Sequence, residues 1–311
     1  MKILVTGGAG FIGSHVVDAF VEARHEVVVV DDLSSGKRSN LNPNARFHQI
    51  DIRTPAVADV ITRERPDVIS HHAAQMDVRR SVADPVFDAE TNVVGFLRIL
   101  EAARAVSVRK VLFASSGGAA YGEQENFPAR EPDPTNPVSP YGVSKRSGEH
   151  YLFFYHAVHG LEYVALRYAN VYGPRQDPHG EAGVVAIFTL KLLRGEAPTI
   201  HGDGLQTRDY VYVGDVVDAN RRALESSFVG PVNIGTGKET DVVTLARTLQ
   251  RLSGTNAEPE HGPAKPGEQR RSVIDGALAR RELAWEPRTS LEDGLRRTFE
   301  WFRSREQQAS S

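Results

Sequence analysis

Thr6-Gly7-Gly8-Ala9-Gly10-Phe11-Ile12-Gly13 decides the fold. A β-prone apolar run at 3–6 ends directly in these glycines. A helical pattern at 12–23 follows, with Ile12, Val16, Ala19, Phe20 and Ala23 along one side. Glycines at this spacing between a strand and a helix suit a dinucleotide site. Gly7 allows the tight turn, Gly10 lets backbone approach pyrophosphate oxygens, and Gly13 lets helix and strand pack closely. The helix N-terminus then offers N–H groups and positive dipole to the phosphates. A second apolar strand, 27–30, leads into Asp31, 18 residues beyond Gly13. An acid at about that distance accepts hydrogen bonds from the adenosine ribose hydroxyls. It also repels a 2′-phosphate, which favours NAD over NADP.

Outward from this loop, strand patterns at 46–50, 68–70, 110–115 and 162–167 alternate with helical patterns at 57–64, 91–105 and 140–159. Strands apolar throughout and separated by helices imply a parallel sheet covered on both faces. The fold class expected is α/β, a Rossmann-type doubly wound parallel sheet. Beyond residue 170 the rhythm breaks, and Pro and Gly crowd 173–183 and 259–267. The expected division is a cofactor domain at 1–170 and a smaller loop-rich α/β substrate domain at 171–311. The stretch 209–230 is expected to return to the first sheet, and 307–311 to be a disordered tail.

Other ligand contacts fall where strands end. Asp51 follows the third strand. The small side chains of Ala73 and Ala74, with Gln75, would let a cofactor lie against the sheet edge. Asn92 reads as a helix cap, or as a hydrogen-bonder to a neighbouring loop or the cofactor.

The second motif is Ser139-Pro140-Tyr141-Gly142-Val143-Ser144-Lys145. Ser139 suits an N-cap and Pro140 a first helical position. Tyr141 and Lys145 are then i and i+4, on one face. A phenol with a pKa near ~10 is a poor base at neutral pH. A neighbouring ammonium favours the phenolate, and so does the positive ring of bound NAD. Ser115 and Ser116 end the strand at 110–115, at the sheet edge where ligands bind. Either hydroxyl is placed to hold the reacting oxygen.

Composition narrows the classes. The chain has 311 residues, a net charge of −3 and no cysteine. The charge is too small to indicate a nucleic-acid or membrane-surface binder, and disulfides and thiolate chemistry are excluded. The glycines interrupt any secretory signal at the start, so a cytoplasmic protein is expected. His71–His72 and His156–His159 lack the spacing of a zinc site, and no metal is expected. His179, beside Arg175 and Asp177, is expected to border a substrate loop.

Together these motifs resemble the extended short-chain dehydrogenase/reductase family, and within it the bacterial UDP-glucose 4-epimerases (UDP-galactose 4-epimerases). The resemblance spans Lys2 to about Leu283. It implies NAD bound along Thr6–His15, including Phe11 and Ile12, with further cofactor contacts at Asp32, Ser35, Ile52 and Tyr168. It matches Ser116 to the family's hydroxyl before a YG dipeptide and Tyr141 and Lys145 to its YxxxK pair. The segment 166–176 would place Asn170 near the diphosphate or sugar. The segment 208–215 would place Arg208 on a UDP phosphate, which a planar guanidinium suits. Substrate contacts are implied at Val184 and Val185 also. Dehydratases and decarboxylases of this family carry an acid beside the catalytic hydroxyl. Here Gly117-Gly118-Ala119 supplies none, which favours epimerisation.

Departures from the family pattern are local. Lys265-Pro266-Gly267-Glu268 stands where the family often has an Arg-containing phosphate and ribose contact, and Arg270 or Arg271 is available as a substitute. The segment 117–120 is one residue longer than in many epimerases, leaving Ser115 and Ser116 both open. His71–Arg80 lacks a lysine that some epimerases place near the pyrophosphate. Ser272 falls at a position gating the sugar pocket, and its small size leaves room for N-acetylated sugars. The expected function is inversion at C4 of a UDP-hexose, with UDP-N-acetylhexosamine or UDP-uronate epimerisation as the alternative. A net dehydrogenase or reductase and a non-catalytic NAD-binding regulator are the other classes. A homodimer is expected through the helices at 91–105 and 140–159, where Leu152, Phe153, Phe154 and Tyr155 form a wide apolar surface.

Overall fold

Seven short strands lie side by side in the computed structural model, which describes residues 1–178, 183–264 and 269–309. In chain order the strands begin β1 (Lys2–Thr6), β2 (Glu26–Asp31), β3 (Arg46–Gln49), β4 (Val68–His71), β5 (Lys110–Ser116) and β6 (Glu162–Tyr168). Shorter ones follow: β7 (Asn170–Tyr172), β8 (Thr199–His201), β9 (Thr207–Arg208), β10 (Tyr210–Tyr212), β11 (Gly230–Ile234), β12 (Thr240–Asp241), β13 (Glu260–Gly262) and β14 (Arg271–Ser272). The main sheet runs β11-β6-β5-β4-β1-β2-β3, and every pairing in it is parallel. The chain order reverses beside β1, between β2 on one side and β4 on the other. That is the switch point at which open α/β sheets bind ligands, outside the carboxyl ends of the strands.

Each long strand is buried on both faces. Along β1, Ile3 and Val5 join one core and Leu4 the other. Along β2, Val27 and Val29 divide from Val28 and Val30 in the same way. This period of two sends alternate residues to opposite layers. The first layer is α1 (Phe11–Glu22). The second holds α2 (Ala56–Glu64) and, later, two short helices, α3 (Val78–Ala83) and α4 (Pro85–Ala89). A π turn at Glu90–Val94 then leads into α5 (Gly95–Ala105). The helix expected at 91–105 is therefore longer at its start and carries an inserted residue's worth of backbone, a device frequent at functional sites.

Next come α6 (Gly117–Tyr121), α7 (Pro140–His159), α8 (Val184–Leu193), α9 (Val213–Glu225), α10 (Val242–Ser253), α11 (Ala277–Leu283) and α12 (Leu291–Ala309). Val216, Ala219 and Ala223 of α9 share a core with Val16, Val17 and Phe20 of α1. Leu152 and Tyr155 of α7 share the other with Phe96, Ile99 and Leu100 of α5. A third core brings together Val185, Phe188 and Leu192 of α8, Leu245 and Leu249 of α10, and Leu295 and Phe299 of α12.

Within 209–230 the strand β10 pairs with β7 in a separate two-stranded sheet, while α9 packs on α1 against the main sheet and β11, starting at Gly230, supplies that sheet's edge. Two expectations need correction. The tail is helical through Ala309 rather than disordered from 307, because α12 continues. Leu152 and Tyr155 are core residues, so the apolar surface of α7 is narrower than expected. Among the described residues no helix is long and apolar enough to cross a membrane. Nor does any group of three or more His, Cys, Asp or Glu side chains come together there to hold a metal ion.

Candidate active site

The glycine loop has the geometry its sequence requires. Gly7 takes φ +69°, and its N–H donates to Val30 O at 2.8 Å. A side chain at Gly7 would also strike the backbone of Ala73 at 2.5 Å. A Cβ on Gly13 would lie 2.2 Å from Gly7 O, so only glycine lets α1 sit this close to the turn. Gly10 starts α1 with no side-chain cap, leaving the backbone N–H groups of the first turn, Phe11, Ile12 and Gly13, for an anion. These features fit a dinucleotide.

Asp31 ends β2 buried, and its two oxygens accept from Leu33 N–H (2.8 Å) and Ala9 N–H (2.9 Å). The carboxylate thus ties the glycine loop to the loop after β2, and burial pushes its pKa up. Each oxygen keeps a lone pair for a ribose hydroxyl. Asp32 and Ser35 are exposed beside it, with Asp32 accepting from Ser34. Asp51 is gripped by Arg53 at 2.6–3.1 Å, and that hydrogen bonding holds its carboxyl below the usual range. Sequence reading missed Arg53, although an arginine two residues after a strand-end acid was a visible signal. Ile52 is buried between them.

Across the switch point, His71 accepts or donates at Thr6 Oγ1 (2.7 Å) and stacks on Phe96 at 4.5 Å. Burial keeps His71 well below its ordinary pKa and lowers His72 to about 3, so both rings are neutral. Ala73 and Ala74 line the loop beyond. Asn92 is not a helix cap; it lies in the π turn and clamps Gln75, accepting from its N–H and donating to its carbonyl, both at 2.8 Å. Asp88 was also missed. It is fully buried and binds Gln75, Asn92 and Ser144.

The second motif folds as a capped helix start. Ser139 Oγ accepts from Gly142 N–H at 3.1 Å. A Cβ on Gly142 would strike Ala119 O at 2.5 Å, and one on Gly148 would strike the Phe113 ring at 2.6 Å. Glycine at these two places lets α7 lie flat on α6 and β5. Half-buried Tyr141 donates its backbone N–H to Ser81 Oγ at 3.2 Å. Lys145 Nζ donates to Ala114 O at 2.8 Å and sits 5.7 Å from the Tyr141 ring centre. Burial lowers its pKa to about 8.

The two serines of β5 point oppositely. Ser115 Oγ is buried and donates to Glu149 at 2.6 Å. Glu149 in turn takes two hydrogen bonds from Arg167, at 2.9 and 2.7 Å. Ser116 is half-buried and caps α6, accepting from Ala119 N–H at 3.2 Å, which leaves its hydroxyl proton to give.

On the far wall, Gly118 faces Ser272 and Asn170. A Cβ on it would stand 3.4 Å from Ser272 Oγ and 3.9 Å from Asn170 Oδ1. Ser272 pairs in register with Arg208, whose Nη1 donates to Thr207 O at 2.8 Å. Val185 is wholly in the third core and Val184 packs against it, so their side chains serve that core. Tyr168 is buried in the first core, its hydroxyl bonded to Asn220. Arg270 is paired with Asp203 (both bonds 2.8 Å) and Arg271 with Glu239, so neither is an open phosphate fork. Lys265, Glu268 and His179 lie outside the described residues.

A strand-end glycine loop at the switch point and a lysine beneath a tyrosine one helix turn away agree with what comparison finds. The model of the NAD dependent epimerase/dehydratase family matches residues 3–235. This chain belongs to that family. Its similarity to UDP-glucose 4-epimerase of Mycolicibacterium smegmatis is 47% identity over 99% of this chain and 100% of that one. Among structures, UDP-glucose 4-epimerase of Thermotoga maritima, with UDP-glucose, matches with a TM-score of 0.97 and 50% identity, covering 98% of this chain and 99% of that one. UDP-glucose 4-epimerase of Thermus thermophilus, complexed with NAD, matches with a TM-score of 0.93 and 44% identity, covering 97% and 99%. The α/β architecture and the resemblance to epimerases of the family are thus borne out, and NAD is the family's cofactor.

Proposed function

We propose that this enzyme inverts C4 of a UDP-hexose, interconverting UDP-glucose and UDP-galactose through a transient 4-keto sugar. The observation that carries the reading is the buried Lys145 ammonium beneath the Tyr141 ring, at the carboxyl edge of the sheet, with no titratable side chain at 117–119. The relatives named above support it. Bound NAD supplies the hydride acceptor and donor. It would be held by the first turn of α1 at Phe11, Ile12 and Gly13, by Asp31 at the ribose, and by the loop of Ala73, Ala74 and Gln75.

Tyr141, as phenolate, takes the proton from the 4-hydroxyl and later returns it. Lys145 favours the phenolate by its charge. Ser116 donates to the reacting oxygen; the bond of the Ser115 hydroxyl to Glu149 supports this choice between the two serines. Arg208 and Asn170 hold the nucleotide end while the sugar turns over, so that inversion needs no release of the nucleotide. The division into a cofactor domain and a nucleotide-sugar domain belongs to this reading, as do a homodimer, a cytoplasmic location and a place in galactose metabolism. Small side chains at Gly118 and Ser272 favour N-acetylated hexoses as additional substrates.

Incubation with UDP-galactose and with UDP-N-acetylgalactosamine, followed by chromatography, tests both readings. Epimers form with no net change in free NADH. Tyr141→Phe lowers turnover about 10²–10⁴-fold, the range for losing a positioned acid–base group, while NAD stays bound. Near-normal turnover by that variant, or stoichiometric NADH production by the parent, rejects the mechanism.

A further inference from the structure

A carboxylate taken wholly out of water is costly unless donors and an opposite charge meet it. Asp88, on α4, is 0% exposed. Its Oδ1 accepts from Gln75 Nε2 at 3.2 Å and Asn92 Nδ2 at 2.9 Å, and its Oδ2 from Ser144 Oγ at 2.6 Å. All three donors are neutral, so hydrogen bonding satisfies the oxygens and leaves the charge to be balanced by another group.

Lys145 presents the complementary case. It is 4% exposed, and its ammonium donates to a neutral acceptor, Ala114 O, over the rings of Phe113 and Tyr141. Ser144 immediately precedes Lys145, so the hydroxyl that grips Asp88 belongs to the same turn of α7 as the ammonium. Among the described residues a second buried lysine, Lys110, is at the opposite end of β5, bonded to carbonyls of Ala223 and Ser226. Nearby Arg53 is taken by Asp51.

We propose that Asp88 is a positioning residue for the reaction: the counter-charge that keeps Lys145 an ammonium, and the anchor that fixes the Gln75 loop to the turn of α7 that carries it. The titratable groups facing Lys145 are His71 at the end of β4, His72 in the loop after it, Asp88 from α4 and Tyr141 from its own helix; β5 adds only the Phe113 ring and the Ala114 carbonyl. Both histidines are neutral, and Lys145 itself depresses them. Asp88 is thus the negative charge that opposes the desolvation of Lys145. The inference rests on Tyr141 and Lys145 being the acid–base pair.

Asp88→Asn removes the charge and keeps the contacts, because the amide oxygen accepts from Gln75 and Asn92 while its N–H₂ donates to Ser144 Oγ. The experiment is an NMR titration of ¹⁵N-lysine-labelled, NAD-loaded protein without sugar, with the Lys145 signal assigned by its loss in Lys145→Met. The Lys145 midpoint is expected to lie about half a unit or more lower in Asp88→Asn than in the parent. Asp88→Ser, which also removes the charge, gives the same direction and serves if the amide variant folds poorly. The alkaline limb of kcat moves down with the midpoint, whereas a purely structural residue lowers kcat equally at all pH. An unmoved midpoint in either variant overturns the proposal. The titration needs no substrate, so absence of epimerisation by the parent removes the functional reading without altering this outcome.

Discussion

An ammonium helps a phenolate only while it holds its proton. Burial brings Lys145 down to about 8, so its charge is complete well below that pH and is lost as pH rises through it. Turnover is therefore expected to fall on the alkaline side near pH 8, with the limb absent in Lys145→Arg, whose guanidinium stays charged. A kcat profile flat from pH 7 to 10 in the parent contradicts this. The serines separate by the same logic of contacts. Ser116→Ala removes the donor to the reacting oxygen and lowers kcat about 10²-fold; because the same oxygen caps α6, it also costs about 1 kcal/mol of stability. Ser115→Ala strips a donor from buried Glu149 and is expected to show mainly as a stability loss of about 1–3 kcal/mol in denaturant titration. Tyr141 and Lys145 were legible because i and i+4 on a helix is local information. The choice between Ser115 and Ser116 was not, since it depends on Glu149, 34 residues away from Ser115.

At the scale of elements, α7 is fastened to the sheet by one buried ion pair. Glu149 binds Arg167 of β6, which also donates to the Tyr121 hydroxyl at 2.7 Å. Burial pushes the Glu149 carboxyl up, but the hydrogen bonds and charge of Arg167 outweigh it and hold it below its ordinary value. A depressed carboxyl contributes stability above its unfolded pKa, near 4.5, and that contribution is lost as pH falls through the lower folded value. Glu149→Gln leaves Arg167 buried without its charge partner. It is expected to cost about 3–5 kcal/mol, read as a lower urea midpoint at pH 7, with the gap to the parent closing in acid. A change under about 1 kcal/mol would show the pair to be dispensable. The longer strands were legible because runs of three or four consecutive apolar residues, such as Ile3–Val5 and Val27–Val30, leave no other place for them than a two-sided sheet. The two- and three-residue strands β8, β9 and β12–β14 were not, for nothing periodic fits in so few residues. The π turn was equally hidden, being fixed by Asn92 reaching Gln75 and Asp88 rather than by its own composition.

On the scale of the molecule, an apolar stripe along α7 stays exposed in a single chain. Val143, Tyr151, Phe154 and Val158 recur at helical spacing along α7, each at least 37% exposed, and Phe153 flanks them at 62%. The hydroxyl of Tyr155 reaches Glu101 of α5, so α5 lies alongside this helix. Contiguous exposed apolar area of this kind marks an interaction surface. A second copy is the partner that covers it most simply, because an isologous contact sets the same stripe against itself. Phe154→Glu would then place two carboxylates near the axis of that contact. Sedimentation velocity is expected to give a dimer for the parent and a monomer for the variant, with NAD retained because α1 and its loop lie on the opposite layer of the sheet. A parent that sediments as a monomer at micromolar concentration leaves the stripe to another partner, and a variant that stays dimeric moves the interface off α7.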